Sequence, residues 1–272
     1  MSQKNRDAKR SAREALQVQR EKDKARAKHK RTLTVATGVI LVLGAAAGIG
    51  VAVAAHDSGG GSDSAGAVTA PRGATGKDDL VIPVGAADAP STLTVYEDFR
   101  CPACNAFEKT FTPTVHSLED SGQLRTEYHL VLLIDGNLGG TGSLNAANAA
   151  ACAQDQGRFR AYHDVLYRNQ PDEQDDRFAD KNTLLALAGQ VPGLRTPAFT
   201  ACVNDGTHDA WVKKSNDAFG SSGYNSTPTV LLNGKDVYGS GSAPLTPAAL
   251  RQMVRTANEG KQPGRVTATP PS

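Results

Sequence analysis

The longest hydrophobic pattern in the chain lies near its N-terminus. Residues 33–55, LTVATGVILVLGAAAGIGVAVAA, are 23 consecutive residues without a charge. At a rise of about 1.5 Å per residue, a helix of this length crosses a hydrocarbon core of about 30 Å. The pattern therefore predicts a transmembrane helix over 33–55, and a helix buried inside a protein is the alternative.

Alternating and helical patterns mark the first half of a folded domain, which we expect to span residues 79–259. Residues 92–99, TLTVYEDF, are rich in β-branched and aromatic types and predict a strand. Apolar residues then recur with the spacing of one helix face, at Phe107, Phe111, Val115 and Leu118. Residues 124–134 predict a second strand, followed by a glycine-rich loop at 135–142. A strand–helix–strand unit predicts parallel pairing of its two strands.

The second half of the domain begins with a helical block over about 143–218. Asn233-Gly234 stands between two apolar runs and predicts a hairpin over 229–238. Thr246-Pro247 predicts the N-cap and the first turn of a last helix. This order predicts an α/β fold with a mixed central sheet, helices on both faces and an inserted helical block.

Charge is spread unevenly along the chain. The whole chain has a formal net charge of +2, but residues 1–31 carry a net charge of +8 and the remainder a net charge of −6. The positive-inside rule then predicts that residues 1–32 form a basic cytoplasmic segment, and that the chain beyond a single membrane pass lies outside the cytoplasm. Binding of nucleic acid or anionic lipid is the alternative for the basic residues. Because the topology already accounts for their charge, we expect no nucleic-acid partner.

Polar segments without apolar patterning border the predicted domain. Residues 56–78 are rich in Gly, Ser, Ala and Asp and predict a flexible linker, and residues 260–272 predict a disordered tail. Ala52-Val53-Ala54 is similar to a signal-peptide cleavage site, so a cleaved leader is the alternative to an anchor. The apolar run is longer than the usual leader core of about 7–15 residues, which favours the anchor. In both cases residues 56–272 lie outside the cytoplasm.

The four cysteines carry the candidate chemistry: Cys101, Cys104, Cys152 and Cys202. The first two form a Cys-Pro-Ala-Cys motif between the predicted strand and the predicted helix. Free backbone N–H groups and the dipole at a helix N-terminus favour a negative sulfur. We therefore expect Cys101 to be an exposed, nucleophilic thiolate and Cys104, one turn later, to form a disulfide with it.

Two other interpretations of the motif are a zinc site and an inert structural disulfide. A structural zinc site needs a second pair of ligands at a matching spacing, and the other two cysteines are isolated from each other. A loop as short as the one between Cys101 and Cys104 gains little chain entropy from closure compared with a long one. We expect neither a metal nor another cofactor.

The motif does not stand alone. Thr227-Pro228 precedes the predicted hairpin, and the helical block lies between this pair and the two cysteines. Together these features resemble the DsbA-like branch of the thioredoxin-fold thiol–disulfide oxidoreductases over about residues 80–258. The resemblance implies a thioredoxin-like fold and catalytic roles for Cys101 and Cys104. It also implies a cis peptide bond at Thr227-Pro228, where an extended substrate segment pairs with the backbone. The residues alone favour a trans proline at the strand start, because cis is the minority state.

The resemblance extends to further residues. Some members of the family carry a second disulfide, which implies a structural bridge between Cys152 and Cys202; two free buried thiols are the alternative. The central dipeptide here is Pro-Ala, whereas the enterobacterial DsbA type has Pro-His. Many relatives have a buried acid where this chain has Val95, and Glu97 is the candidate that replaces it as a proton relay for Cys104. A solvated acid at a strand edge is the alternative for Glu97.

The function implied is disulfide donation to exported proteins by an enzyme anchored in the cell membrane. Its expected partners are the thiols of exported proteins and a quinone-linked membrane protein that reoxidises it. A membrane-tethered disulfide reductase or isomerase is the first alternative, because the direction of exchange depends on relative potentials. A tethered binding module with an inert disulfide is the second.

Overall fold

The computed structural model describes residues 68–239 and 244–266. The predicted basic segment 1–32, the predicted transmembrane helix 33–55 and most of the predicted linker lie outside the described residues. Within the described ranges, no helix combines the length and the apolar character needed to cross a membrane.

The centre of the domain is a mixed sheet. In the described part of the chain its strands are β1 Ile82–Gly85, β2 Thr92–Glu97, β3 Arg125–Leu130, β4 Thr229–Leu232 and β5 Lys235–Asp236. Their order across the sheet is β1-β3-β2-β4-β5, with β2 and β3 parallel and the other pairs antiparallel. The predicted parallel pair and mixed sheet are confirmed. The edge strand β1 is a finding of the structure, since four residues containing a proline give no strand pattern.

Helices cover the sheet and fill the insertion between β3 and β4. They are α1 Pro102–Asp120, α2 Leu133–Leu138, α3 Gly142–Asp155, α4 Phe159–Arg168, α5 Lys181–Ala188, α6 Pro197–Asp205, α7 Asp209–Gly220 and α8 Pro247–Ala257. The predicted helical insertion is thereby confirmed. The fold is a thioredoxin-like α/β fold.

Helix α1 connects the central strand to the rest of the domain. Its apolar face is buried as predicted, and Pro113 lies inside it without ending it. Pro102 occupies its first turn, where a missing N–H removes no helical hydrogen bond. Gly122 follows the helix with a φ of 69°, and its carbonyl oxygen accepts a hydrogen bond from the N–H of Gly264 at 2.8 Å. A side chain at Gly122 would collide with the backbone of Gly264.

One predicted boundary is wrong. Residues 133 and 134 were expected to continue a strand and residues 135–142 to form a loop, but α2 occupies 133–138. Tertiary hydrogen bonds stabilise this turn, because the Asp135 carboxylate accepts from the N–H groups of Ser143 and Leu144 at 3.0 and 2.9 Å. Local residue patterns do not contain such contacts.

The hairpin and the last helix follow local residue chemistry. Asn233 and Gly234 have positive φ angles of 50° and 81°, as a two-residue turn between β4 and β5 requires. The Thr246 hydroxyl accepts a hydrogen bond from the N–H of Ala249 at 3.1 Å and caps α8. Both elements lie where the sequence predicts them.

The described parts of the predicted linker and tail contact the domain. The N–H of Arg72 donates to Asp155 Oδ1 at 2.7 Å, and Thr75 pairs with Val81 in an isolated bridge. At the other end, the N–H of Arg265 donates to Asp88 Oδ1 at 2.8 Å. Residues 68–78 and 261–266 are therefore held by long-range hydrogen bonds that their composition does not reveal.

Candidate active site

The Cys-Pro-Ala-Cys motif lies at the carboxyl end of the central strand. Cys101 is the N-cap of α1, and its carbonyl oxygen accepts from the N–H of Asn105 at 3.1 Å, so the N-terminus of the helix points at the motif. Cys101 and Cys104 are both free thiols. The motif thus occupies the predicted junction between strand and helix.

Cys101 is less accessible than the sequence suggests. Its exposed fraction is 5%, whereas an exposed thiol was expected. The reason is tertiary, because residues distant in the chain cover it. The Cys101 sulfur lies 3.4 Å from the carbonyl oxygen of Thr227, and the Gln170 amide donates to the carbonyl oxygen of Cys101 at 3.0 Å.

The two thiols have opposite acidities. Hydrogen bonds from the Cys104 thiol, from the Thr227 side chain and from backbone N–H groups of the first turn of α1 lower the pKa of Cys101 to about 6, although burial acts in the opposite direction. Burial, the hydrogen bond to Cys101 and the nearby charges of Cys101 and Glu97 raise the pKa of Cys104 well above its usual value. At neutral pH Cys101 is therefore mainly a thiolate and Cys104 a thiol. A thiolate is the nucleophile of disulfide exchange, so the arrangement suits Cys101 for attack and for departure.

Thr227 and Pro228 lie directly beside this thiolate. The peptide bond between them is cis, as the resemblance implies. The two residues precede β4, which pairs with the central strand β2 that leads to Cys101. The Thr227 hydroxyl is buried without a hydrogen-bond partner, and the Thr227 side chain is one of the groups that lower the pKa of Cys101. The fold thus brings together two segments that lie 126 positions apart in the sequence.

Glu97 lies inside the protein beneath the motif. It is only 1% exposed and shares the inward face of β2 with Val95. Its Oε1 atom lies 2.8 Å from Nε2 of His163, whereas Oε2 is buried with no hydrogen-bond partner. The solvated-edge interpretation of Glu97 is therefore wrong. Its charge reaches Cys104, since it contributes to the raised pKa of that thiol.

Sequence reasoning missed two residues of this buried polar region, Glu108 and His163. Glu108 lies on α1 one turn after Cys104, and His163 lies on α4 between the buried residues Tyr162 and Val165. A signal for both is present in the sequence, because each polar residue falls on the apolar face of an amphipathic helix. Burying an ionisable group at such a position costs free energy unless the group is paired or hydrogen-bonded.

Cys152 and Cys202 form a disulfide that joins α3 to α6. This is the pairing that the resemblance implies. The disulfide lies within the helical insertion and is separate from the Cys101–Cys104 pair.

Two groups of potential metal ligands occur among the described residues. In the first, Cys152, Cys202 and His208 lie close together, but the two sulfurs are bonded to each other and offer no thiolate. In the second, Glu97, Glu108 and His163 bring their ligand atoms within 4.8 Å of one another. In this group the His163 imidazole is already hydrogen-bonded to the Glu97 carboxylate. We therefore interpret the three side chains as a buried ionic cluster and not as a metal site.

Comparisons with known proteins agree with the geometry. A family model described as Thioredoxin matches residues 77–255. The disulfide bond formation protein D of Bacillus subtilis is 25% identical over 155 residues, which is 56% of this chain and 67% of that protein. The reduced DsbA of Mycobacterium tuberculosis is 28% identical with a TM-score of 0.57, covering 68% of this chain and 95% of that one. The reduced disulfide bond oxidoreductase DsbG of M. tuberculosis is 29% identical with a TM-score of 0.56, covering 65% and 86%.

Proposed function

Because the chain belongs to the thioredoxin family and is a protein-disulfide oxidoreductase, we propose that it acts as an oxidase, which donates the Cys101–Cys104 disulfide to exported proteins. The observation that carries this proposal is the low pKa of Cys101, about 6, next to the protonated Cys104. A stabilised thiolate favours the reduced form of the pair, so the oxidised form gives up its disulfide readily.

The reaction follows from these acidities. A substrate thiolate attacks the Cys101 sulfur of the oxidised enzyme, the Cys101–Cys104 bond breaks, and Cys104 departs and takes up a proton. A second substrate thiolate then attacks the substrate sulfur of the mixed disulfide, and Cys101 departs as a stabilised thiolate. Two electrons pass to the enzyme, and the two substrate thiols lose two protons, of which Cys104 retains one.

Thr227 and Pro228 supply the substrate platform. Backbone groups of Thr227 lie beside Cys101, where an extended segment of the substrate can pair with them as an added strand. This pairing places the substrate sulfur beside the Cys101 sulfur without contacts to particular side chains. It therefore suits an enzyme that acts on many unfolded substrates.

Glu97 serves as the proton relay for Cys104. The departing Cys104 sulfur is fully buried, so its proton must come from a group inside the protein. The charge of Glu97 contributes to the raised pKa of Cys104, and its Oε2 atom has no hydrogen-bond partner. A carboxylate in this position can give and take the proton.

The setting of the enzyme completes the proposal. Residues 33–55 anchor it in the cell membrane as a single pass, with residues 1–32 in the cytoplasm and the catalytic domain outside. The Cys152–Cys202 disulfide supports an oxidising compartment. A quinone-linked protein in the same membrane takes the two electrons from the reduced pair.

The reduction potential of the Cys101–Cys104 pair tests the proposal. We would equilibrate the detergent-solubilised full chain with glutathione buffers and count free thiols, with Cys101→Ser as the control that contains no exchangeable pair. A potential between about −180 and −120 mV agrees with disulfide donation. A potential near −270 mV, as in thioredoxin, would make the protein a reductase. A pair that resists mild reduction altogether would indicate an inert disulfide.

A further inference from the structure

Residues 98–101 join β2 to α1, and hydrogen bonds fix the backbone of this junction residue by residue. The N–H of Cys101 donates to the carbonyl oxygen of Asp98 at 3.0 Å, and the N–H of Arg100 donates to Asp98 Oδ1 at 2.8 Å. The carbonyl groups on either side of Arg100 share one donor. Nε2 of Gln170 lies 2.8 Å from the oxygen of Phe99 and 3.0 Å from that of Cys101. A side chain of the helical insertion is thus bonded directly to the backbone of the catalytic cysteine.

The position of Gln170 is set by the end of helix α4. The N–H of Gln170 donates to the carbonyl oxygen of Tyr167, three residues back at the end of the helix, at 3.3 Å. Pro171 comes next, and a proline both ends a helix and restricts the backbone of the residue before it. The Tyr167 hydroxyl also donates to the carbonyl oxygen of Asp98 at 3.3 Å. The end of α4 and the strand-to-helix junction are therefore attached to each other at two points.

Arg100 attaches the same junction to other parts of the insertion between β3 and β4. Its side chain is 3% exposed, and Nη1 lies 2.7 Å from Oδ1 of Asp135 and 3.0 Å from Oδ1 of Asp176. Nη1 also donates to the carbonyl oxygen of Gly139 at 2.9 Å, and Nη2 donates to that of Glu173 at 3.2 Å. Removing one partner of a buried ion pair is strongly unfavourable, so this attachment is firm. The residue that precedes the nucleophile is therefore fixed through its side chain as well as its backbone.

The backbone of Cys101 decides where its sulfur lies. Cys101 is the N-cap of α1 with φ −74° and ψ 119°, and its carbonyl oxygen accepts a hydrogen bond from the N–H of Asn105 at 3.1 Å. A carbonyl oxygen has two lone pairs, so the second remains for the amide of Gln170. From this backbone the sulfur lies 3.4 Å from the carbonyl oxygen of Thr227 and accepts hydrogen bonds from N–H groups of the first turn of α1. A single side-chain torsion separates the sulfur from the backbone, so a displaced carbonyl group also moves the sulfur.

We propose that Gln170 is a positioning residue for the nucleophile: its amide fixes the carbonyl groups of Phe99 and Cys101, and thereby keeps the Cys101 sulfur beside Thr227 and the first turn of α1. The inference rests on the role of Cys101 in the proposed function, and it applies to either direction of disulfide exchange. Whether Cys101 departs from a mixed disulfide or attacks a disulfide, its sulfur is a thiolate in the same place. Thr227 contacts the sulfur itself, whereas Gln170 acts through the backbone of Cys101.

The alternative is that Gln170 only satisfies two carbonyl groups and so stabilises the fold. The two roles differ in what they predict for the acidity of Cys101. A loss of stability alone leaves the sulfur of the folded protein where it is. A displaced Cys101 loses part of the hydrogen bonding that lowers its pKa to about 6.

The test is the pH dependence of the alkylation of Cys101. The full chain in detergent is mildly reduced, treated with iodoacetamide between about pH 5 and 9 and quenched at set times, and the modified Cys101 peptide is counted by mass spectrometry. Cys104 is fully buried and its pKa is raised, so it reacts slowly. Burial also raises the pKa of Asp98 to about 7, within the same range, but Asp98 is present in every protein compared.

The variant Gln170→Met removes the donor and keeps the length of the side chain. We expect the midpoint of its profile to rise by about one pH unit, which makes the reaction about tenfold slower at pH 5 and leaves the rate at pH 9 unchanged. Asn169→Ala is the matched control, since the amide of Asn169 donates to the carbonyl oxygen of Val165 within α4 at 2.8 Å. We expect its profile to match that of the unaltered protein. A Gln170→Met profile that coincides with that of the unaltered protein, or an equal shift in Asn169→Ala, would overturn the proposal.

A second variant keeps the test decisive if Gln170→Met does not fold. Gln170→Asn retains a polar amide, but its side chain is one methylene shorter and cannot reach both carbonyl groups. We expect its midpoint to rise as well, and an unshifted midpoint in this variant would contradict the positioning role.

The reduction potential of the Cys101–Cys104 pair gives an independent measurement. At pH 8.5 the potential of Gln170→Met should be about 30 mV more negative than that of the unaltered protein, because a tenfold weaker stabilisation of the thiolate corresponds to about 30 mV. Equal potentials would count against the proposal. If the unaltered protein itself has a potential near −270 mV, the proposed direction of exchange fails, and the difference between the two proteins still decides the role of Gln170.

Discussion

The Cys101 sulfur lies 3.4 Å from the carbonyl oxygen of Thr227, and the hydroxyl of the same threonine is buried with no hydrogen-bond partner. One residue therefore presents to the sulfur both a backbone acceptor for the thiol and a side-chain donor for the thiolate. The substrate platform and the acidity of the nucleophile are thus properties of a single position.

Thr227→Val removes the donor and keeps the shape of the side chain. We expect the pKa of Cys101 to rise by about one to two units, because a hydrogen bond to a charged group contributes about 1.5–3 kcal/mol. The thiolate absorbance at 240 nm, titrated with pH, measures this. Thr229→Val is the control, since the Thr229 hydroxyl donates to Ser226 and not to the sulfur. Equal titrations of Thr227→Val and the unaltered protein would show that the hydroxyl does not stabilise the thiolate.

The low pKa of Cys101 also predicts how the stability of the reduced protein depends on pH. The pKa is about 6 in the folded protein and about 8.5 for an unfolded cysteine. A pKa lowered on folding stabilises the fold fully above the unfolded value, and this contribution disappears as the pH falls to the folded value. Relative to Cys101→Ser, the reduced protein should therefore gain about 1.4 kcal/mol of unfolding free energy per pH unit between about pH 6 and 8.5. Urea unfolding under reducing conditions measures the difference, and parallel curves for the two proteins would contradict it.

The disulfide between Cys152 and Cys202 is expected to stabilise the helical insertion without taking part in exchange. It closes a sequence separation of 50 residues, for which the chain-entropy model gives about 4 kcal/mol. The double variant Cys152→Ala, Cys202→Ala should lower the unfolding free energy of the oxidised protein by about this amount. The reduction potential of the Cys101–Cys104 pair should stay the same, and a shifted potential would indicate that the second disulfide communicates with the first.

His129 is expected to make the fold sensitive to mild acid. Burial lowers the pKa of His129 to about 4, and its ring stacks on Tyr96 with centroids 4.3 Å apart. Because the folded pKa lies below the unfolded value of about 6.5, stability is lost as the pH falls from about 6.5 towards 4. When the pH is lowered from 7.5 to 4.5, the unfolding free energy of His129→Gln should therefore fall by about 2 kcal/mol less than that of the unaltered protein. Urea unfolding at the two pH values measures this, and equal losses would mean that His129 is not held neutral.

Local residue chemistry determined much of this protein. The Cys-Pro-Ala-Cys motif, the Asn233-Gly234 turn and the Thr246 cap each act within a few residues of their own position, so the sequence predicts the junction, the hairpin and the last helix. The order of strands and helices, together with the resemblance, was sufficient to predict the fold. The parallel pairing of β2 with β3 follows because a helix connects them.

Only the tertiary structure decided the rest, because it depends on contacts between distant segments. The edge strand β1 gains its hydrogen bonds from β3. Helix α2 is stabilised because its Asp135 carboxylate accepts a hydrogen bond from the N–H of Ser143, which lies beyond the helix. The position of Cys101 at a helix N-terminus suggests an exposed thiol, but contact with Thr227 buries it. The pairing of Glu97 with His163 depends on how β2 and α4 pack, and that packing decides that Glu97 is buried and is not a solvated acid at a strand edge. Local patterns act along the chain, whereas burial and charge pairing act through space, and the acidities of this site arise from the second kind of interaction.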